Sequence, residues 1–274
     1  MTKSTQTYPS DLNDNQWRLI EQYLTRPKPK GPGGHPAVHS WRAIVNGLLY
    51  VKSNGCVWRA MPHDLPPWQT VYGYFRSWCQ AGAWQKINAA LVPLVRQKAG
   101  RKPQPSAAIL DSQSAKSAEG GAERGYDAGK KITGRKRHLV VDTLGLVLMV
   151  VVTAASVQDV AGAQEVLQAL FDRIKHSKYS RWCRLKLIWA DGGYRGQLIQ
   201  SVKRTFGWTL EIVQKLEGQV GFQVLPRRWV IERTFAWLSR SRRLARDYER
   251  LPETSEAFIY VAMIHVMLKR LARP

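Results

Sequence analysis

Three carboxylates in this chain sit where ordinary surface charge explains them poorly. Asp111 closes the apolar stretch SAAILD (106–111), and Asp191 closes KLIWAD (186–191). A carboxylate at the end of a buried strand carries a heavy desolvation penalty unless something pairs with it. If the two strands lie side by side, the carboxylates meet at the sheet edge and raise each other's pKa. A hard cation such as Mg²⁺ removes that conflict, because it takes carboxylate oxygens and water as ligands. Glu232, among Trp229, Val230, Ile231, Phe235 and Trp237 in RRWVIERTFAWL, offers a third carboxylate. With Arg227, Arg228 and Arg233 beside it, a plain helix salt bridge explains Glu232 equally well. Gly192 and Gly193, directly after Asp191, let the backbone turn sharply.

The elements that must position these groups separate into three stretches. Residues 10–98 read as helical. DLNDNQWRLIEQYL offers Asn13 or Asp11 as an N-cap before Trp17, Ile20 and Leu24 at helical spacing. The loop RPKPKGPGGHP interrupts, and HSWRAIVNGLLYVKSNG, WQTVYGYFRSWCQAG and AWQKINAALVPLVRQK follow as further helices. Short helices joined by turns fit a helix-turn-helix-like DNA-binding module, and equally any small helical bundle. After the basic linker RQKAGRKPQPS the pattern changes. SAAILD is a strand, RHLVVDT and LVLMVVVTAA form a hairpin across Leu144-Gly145, DVAGAQEVLQALFDRI is a helix and LKLIWAD a strand. YRGQLIQSVKRTFG is a second helix and TLEIVQ (209–214) a fifth strand. Two long helices close the chain, RRWVIERTFAWLSRSRRLARDYER and SEAFIYVAMIHVMLKRLAR. The expected division is 1–100, an N-terminal helical domain, and 101–274, an α/β domain carrying both final helices.

Charge bears on partners. The 274 residues carry 42 Lys+Arg against 20 Asp+Glu, a formal net charge of +22, and a soluble chain this basic most often meets a nucleic acid. At 44% hydrophobic residues a sizeable core forms, so wholesale disorder is excluded. The longest apolar run, LGLVLMVVVTAA, is too short to span a bilayer, and the first residues lack the apolar core of a signal peptide. Cys56, Cys79 and Cys183 are far apart, which supports neither a disulfide framework nor a zinc site. The expectation is a cytoplasmic, nucleoid-associated protein with no membrane contact. Lys130, Lys131, Arg135, Lys136 and Arg137 form a basic run with interspersed glycines, and Arg240, Arg242 and Arg243 another after Glu232. Both are expected to contact DNA phosphates, which gives salt-dependent affinity rather than sequence reading.

The order strand-Asp, strand-Asp, helix-Glu resembles the RNase H-like nucleotidyl-transferase fold, a mixed sheet flanked by helices. More closely, the chain resembles the DDE transposases of prokaryotic insertion sequences, nearest the short transposases of the IS-five group. The matching segments are AILDSQS, GYDAGKKITGRKRHLVVDTLGL, WADGGYRG and RRWVIERTFAWLSRSRRLARDYE, with YPSDLNDNQWRLIEQYL and WRAIVNGLLYVKSNGCVWRAMP in the leading stretch. The resemblance implies Asp111, Asp191 and Glu232 as catalytic, metal-holding residues. They would hold two Mg²⁺ ions, for which Mn²⁺ substitutes, with Asp111 bridging both. It also implies binding of the element's terminal inverted repeats, cleavage and joining to target DNA, and a homodimer on DNA. The chain departs from the family's Tyr/Arg/Glu/Lys signature. Arg228 and Glu232 fit, but Leu225 stands at the Tyr position and Ser239, next to Arg240, at the Lys position.

Among rival groups, Asp142 before the hairpin turn reads as structural, Glu211 as facing away from the core, and His138 as structural or solvent-facing. Two other classes remain open. One is an RNase H-like nuclease without joining activity. The other is a transposase-derived DNA-binding protein whose catalytic site has decayed.

Overall fold

The computed structural model describes residues 8–25, 38–118, 120–176, 184–213 and 227–272. The loop RPKPKGPGGHP, together with Cys183, Gln214 and Leu225, lies outside these residues.

The leading stretch is helical: α1 (Asp14–Ile20), α2 (Trp41–Asn54), α3 (Trp68–Gln80) and α4 (Ala83–Lys98). Asn13 caps α1 through a capping box with Gln16, Ser40 caps α2, and Gly55 ends α2 in the left-handed region that favours glycine. These helices are not a free-standing bundle. They share one continuous apolar core with the sheet, and α2, α3 and α4 pack on the last helix, α8 (Pro252–Leu271). With little polar surface, α8 is buried along most of its length.

The sheet is built from β1 (Ala107–Lys116), β2 (Gly125–Asp127), β3 (Ile132–Asp142), β4 (Val147–Ala154), β5 (Leu187–Ala190) and β6 (Thr209–Ile212). β3 lies antiparallel to β1, while β5 and then β6 continue on the other side of β1 in parallel. β4 and the short β2 share the outer edge of β3. Helices α5 (Asp159–Lys175) and α6 (Gln197–Phe206) make the crossovers, and α7 (Trp229–Ser239) packs on β1. A central strand with an antiparallel hairpin on one side and parallel strands on the other is the RNase H-like arrangement expected from the sequence.

Three boundaries differ from expectation. β1 does not stop at Asp111 but runs to Lys116, because SQSAK continues to pair with β3 as far as Gly134. β3 starts at Ile132, so the basic run ITGRKR is strand rather than loop. Gly134 permits this close pairing, since a Cβ there would stand 2.1 Å from the Ala115 carbonyl oxygen. The helix bearing Glu232 ends at Ser239, followed by a 3₁₀ turn over Arg242–Leu244 and a segment that bridges to the end of β1 through Ser117 and Asp247. Among the described residues no helix is long and apolar enough to cross a membrane.

Candidate active site

The β1–β5 register runs Ala107↔Leu187, Ala108↔Ile188 and Ile109↔Trp189. Carried on by two residues, it sets Asp111 level with Asp191. β5 ends at Ala190, whereas β1 continues, so Asp111 lies mid-strand where its parallel neighbour departs. Asp191 opens a 3₁₀ turn, Gly192–Tyr194, and its Oδ1 accepts a hydrogen bond from the Gly193 amide at 2.9 Å. A Cβ on Gly193 would come within 3.1 Å of that oxygen, which explains the small residue there.

Glu232 reaches the site on α7. Apolar residues Val230, Ile231, Phe235 and Leu238 bury one face of this helix. Its opposite anchor is the β3–β4 turn, where Thr234 Oγ1 donates to the Gly145 carbonyl at 2.8 Å and Arg233 to the Leu144 carbonyl at 3.2 Å. Gly145 has positive φ (+79°), and a Cβ there would strike Thr234 Oγ1 at 2.7 Å, so the hairpin turn seats the helix. Arg233 lies between the rings of Trp229 and Trp237.

Arg228 joins the two outer carboxylates. Its Nη2 is 3.2 Å from Asp191 Oδ2, and its Nε is 3.8 Å from Glu232 Oε1. Burial pushes the Asp111 carboxyl up to about 6; the Ser112 amide and Arg228 oppose the rise, and Asp191 adds to it. A guanidinium therefore stands beside carboxylates that would otherwise repel one another. Among the described residues no three His, Cys, Asp or Glu side chains gather closely enough to enclose a metal ion. The carboxylate oxygens of Asp111, Asp191 and Glu232 are hard donors of the kind a hard cation takes.

Tyr194 is a neighbour that the sequence reading passed over. It is buried, and burial followed by the Asp111 charge raises its hydroxyl pKa, so it stays neutral beside the site. It lies in WADGGYRG, three residues after Asp191.

The basic residues divide by burial. Lys130, Lys131, Arg240 and Arg242 are exposed, and Arg228 is partly so. Arg135, Lys136, Arg137 and Arg243, expected from the sequence to be solvent-facing, are buried and take partners within the fold. Arg135 pairs with Asp247 at 3.3 Å and donates to the carbonyls of Ala122, Glu249 and Arg250. Arg137 donates to the Leu244 and Arg246 carbonyls. Lys136 meets Asp159 at 3.1 Å and Asp127 at 3.6 Å, and Arg243 grips Glu249 at 2.7 Å. The segment after α7 is thus stitched to β3 by the cations that read as a DNA-binding loop. His138 is buried, hydrogen-bonded to Thr153 and lowered to about 4 by burial, which makes it a structural neutral histidine. Asp142 pairs with Arg96 and accepts the Leu144 and Leu146 amides, as its place before the turn suggested.

An RNase H-like sheet with Asp111 on its central strand and Asp191 just past the neighbouring strand, and a glutamate-bearing helix beside them, places the chain among proteins of the nucleotidyl-transferase fold. Residues 102–267 match the family described as "Transposase DDE domain", and residues 12–88 match "Putative transposase of IS4/5 family". The chain belongs to the DDE transposases of insertion sequences. Two proteins of Burkholderia cepacia are similar to it. One, named "Insertion element IS402 uncharacterized 16.2 kDa protein", is 33% identical over 42% of this chain and 78% of its own length. The other, "Putative transposase for insertion sequence element IS402", is 31% identical over 46% of this chain and 59% of its own length. No solved structure matches.

Proposed function

We propose that this chain binds the terminal inverted repeats of its element as a homodimer and carries out Mg²⁺-dependent strand cleavage and strand transfer with Asp111, Asp191 and Glu232. The observation that carries the reading is the register that sets Asp111 level with Asp191, with Arg228 linking Asp191 to Glu232 on α7. These three carboxylates would hold the metal. When bound, two Mg²⁺ ions, or Mn²⁺ in their place, would polarise the scissile phosphate and activate the attacking water or DNA hydroxyl.

The protein's own groups do the rest. The rigid β1 and β5 fix two carboxylates, while α7, seated on Gly145, presents the third. Arg228, once released from Asp191 and Glu232, is placed to meet a phosphate oxygen by charge-assisted hydrogen bonds. Exposed Lys130, Lys131, Arg240 and Arg242 hold the DNA backbone around the site. The N-terminal helices, residues 1–100, recognise the element ends, and residues 101–274 perform the chemistry. Target joining distinguishes this reading from a nuclease.

The test uses labelled element-end DNA and Mg²⁺. Asp191→Asn and Glu232→Gln are expected to bind the DNA as the unaltered protein does and to leave it uncut. Nicking by purified Asp191→Asn would overturn the assignment.

A further inference from the structure

A cavity of about 740 Å³ lies between the C-terminal end of α2, the turn after α7 and the last turns of α8. Sites for small ligands usually occupy roughly 300–1,000 Å³. Among the described residues, four cations line it, Lys52, Arg240, Lys269 and Arg270, and none of the lining residues is acidic. On α8, Ala262, His265, Val266, Lys269 and Arg270 recur at helical spacing, so one face of the helix forms a wall. Trp237 and Tyr50 add aromatic surface, with Arg270 stacked on the Trp237 ring at 4.3 Å.

Lys52 is the unusual member. It is buried, at 6% exposure, yet its ammonium meets an imidazole, His265 Nδ1 at 2.8 Å, rather than a carboxylate. Burial, then Lys52 and Lys269, push His265 down to about 3, so this imidazole is neutral and cancels no charge. Burial and Lys269 lower Lys52 to about 8, which leaves it mostly charged at neutral pH. Buried ammonium groups are rarely left without a counter-charge, because desolvation is then uncompensated. An anion in the cavity would supply the missing counter-charge for both Lys52 and Lys269.

We propose that this cavity is a phosphate-binding seat, built by α2, the turn after α7 and α8, and separate from the carboxylate site. Phosphate fits best: it is compact, doubly charged or diester-linked, and accepts several hydrogen bonds from ammonium and guanidinium groups. Two sources share that chemistry, a backbone phosphate of bound DNA and a free nucleotide. Because Arg240 and Ser241 follow α7 directly, either occupant would touch the element that carries Glu232.

The experiment compares the full chain with Lys52→Met and Lys269→Ala. Inorganic phosphate and a nucleoside triphosphate are titrated by calorimetry, and a short labelled DNA duplex by anisotropy at several salt concentrations. The unaltered protein is expected to bind at least one probe, and each variant to weaken it by about tenfold. If the triphosphate responds, the seat takes a free nucleotide. If only the duplex responds, with the log–log salt slope reduced by about one per variant, the seat takes a backbone phosphate. Lys269 is exposed, so its variant keeps the test meaningful should Lys52→Met fold poorly. No binding of any probe, or binding unchanged in both variants, would overturn the proposal. Strand cleavage is not the readout, so failure here leaves the carboxylate assignment standing.

Discussion

Asp111 is placed at a cost in stability that a single substitution can expose. Burial raises its carboxyl from 3.8 to about 6, while the unfolded chain keeps the lower value. Folded protein therefore holds the proton more tightly than unfolded protein between those two pH values, and stability falls as pH rises through that window. The shift is about 2 units, equivalent to about 3 kcal/mol lost by neutral pH, with solvent relaxation reducing the figure. Asp111→Asn removes the ionisation while keeping an oxygen to accept the Ser112 amide. Urea unfolding of both proteins in chelator at about pH 4 and about pH 7.5 measures the difference. The variant should match the unaltered protein at the lower pH and exceed it by about 1–3 kcal/mol at the higher. Glu256, pushed up to about 7 by burial, adds a parallel loss to both proteins and cancels in the comparison. Mg²⁺ at about a hundred times its dissociation constant should return about 2.7 kcal/mol to the unaltered protein and much less to the variant. If Asp111→Asn is no more stable at the higher pH, or more stable by the same margin at both, the carboxylate is not held in a destabilised state.

Two further substitutions separate structure from DNA contact. Arg135→Ala strands the fully buried Asp247 and should lower stability by about 3–5 kcal/mol in urea unfolding, whereas Lys130→Ala with Lys131→Ala should leave stability unchanged and weaken DNA binding at low salt. Asp142→Ala leaves Arg96 buried without its partner and two turn amides without an acceptor, with a loss of about 3–5 kcal/mol visible as a lowered Tm.

The strand and helix order was legible because strands with apolar runs and helices with apolar stripes announce their own period. The site was legible at one remove. Apolar residues before Asp111 and Asp191 marked both strands, but only pairing revealed that β1 continues for five residues past Asp111. The sequence turns polar at SQS near the level where β5 ends, although β1 itself continues. Tyr194 carried no signal of its own, since one aromatic after two glycines reads as ordinary turn packing.

Charge was the misleading signal, for a definite reason. A cluster such as GRKR looks solvated because the usual location of arginine and lysine is the surface. Here Gly134 lets β3 lie close against β1, which carries the next four side chains into the interior. Most of their partners come from far along the chain: Asp247 and the carbonyls of residues 244–250 for the two arginines, Asp159 for Lys136. None of these partners is near in sequence, so no local pattern could reveal them. The positive charge left at the surface is consequently smaller than +22 suggests. Exposed cations include Lys130 and Lys131 in the turn before β3 and Arg240 and Arg242 in the turn after α7, and Arg240 also lines the cation-lined cavity. Local charge density therefore locates a polyanion contact only after burial has removed the cations that serve the fold.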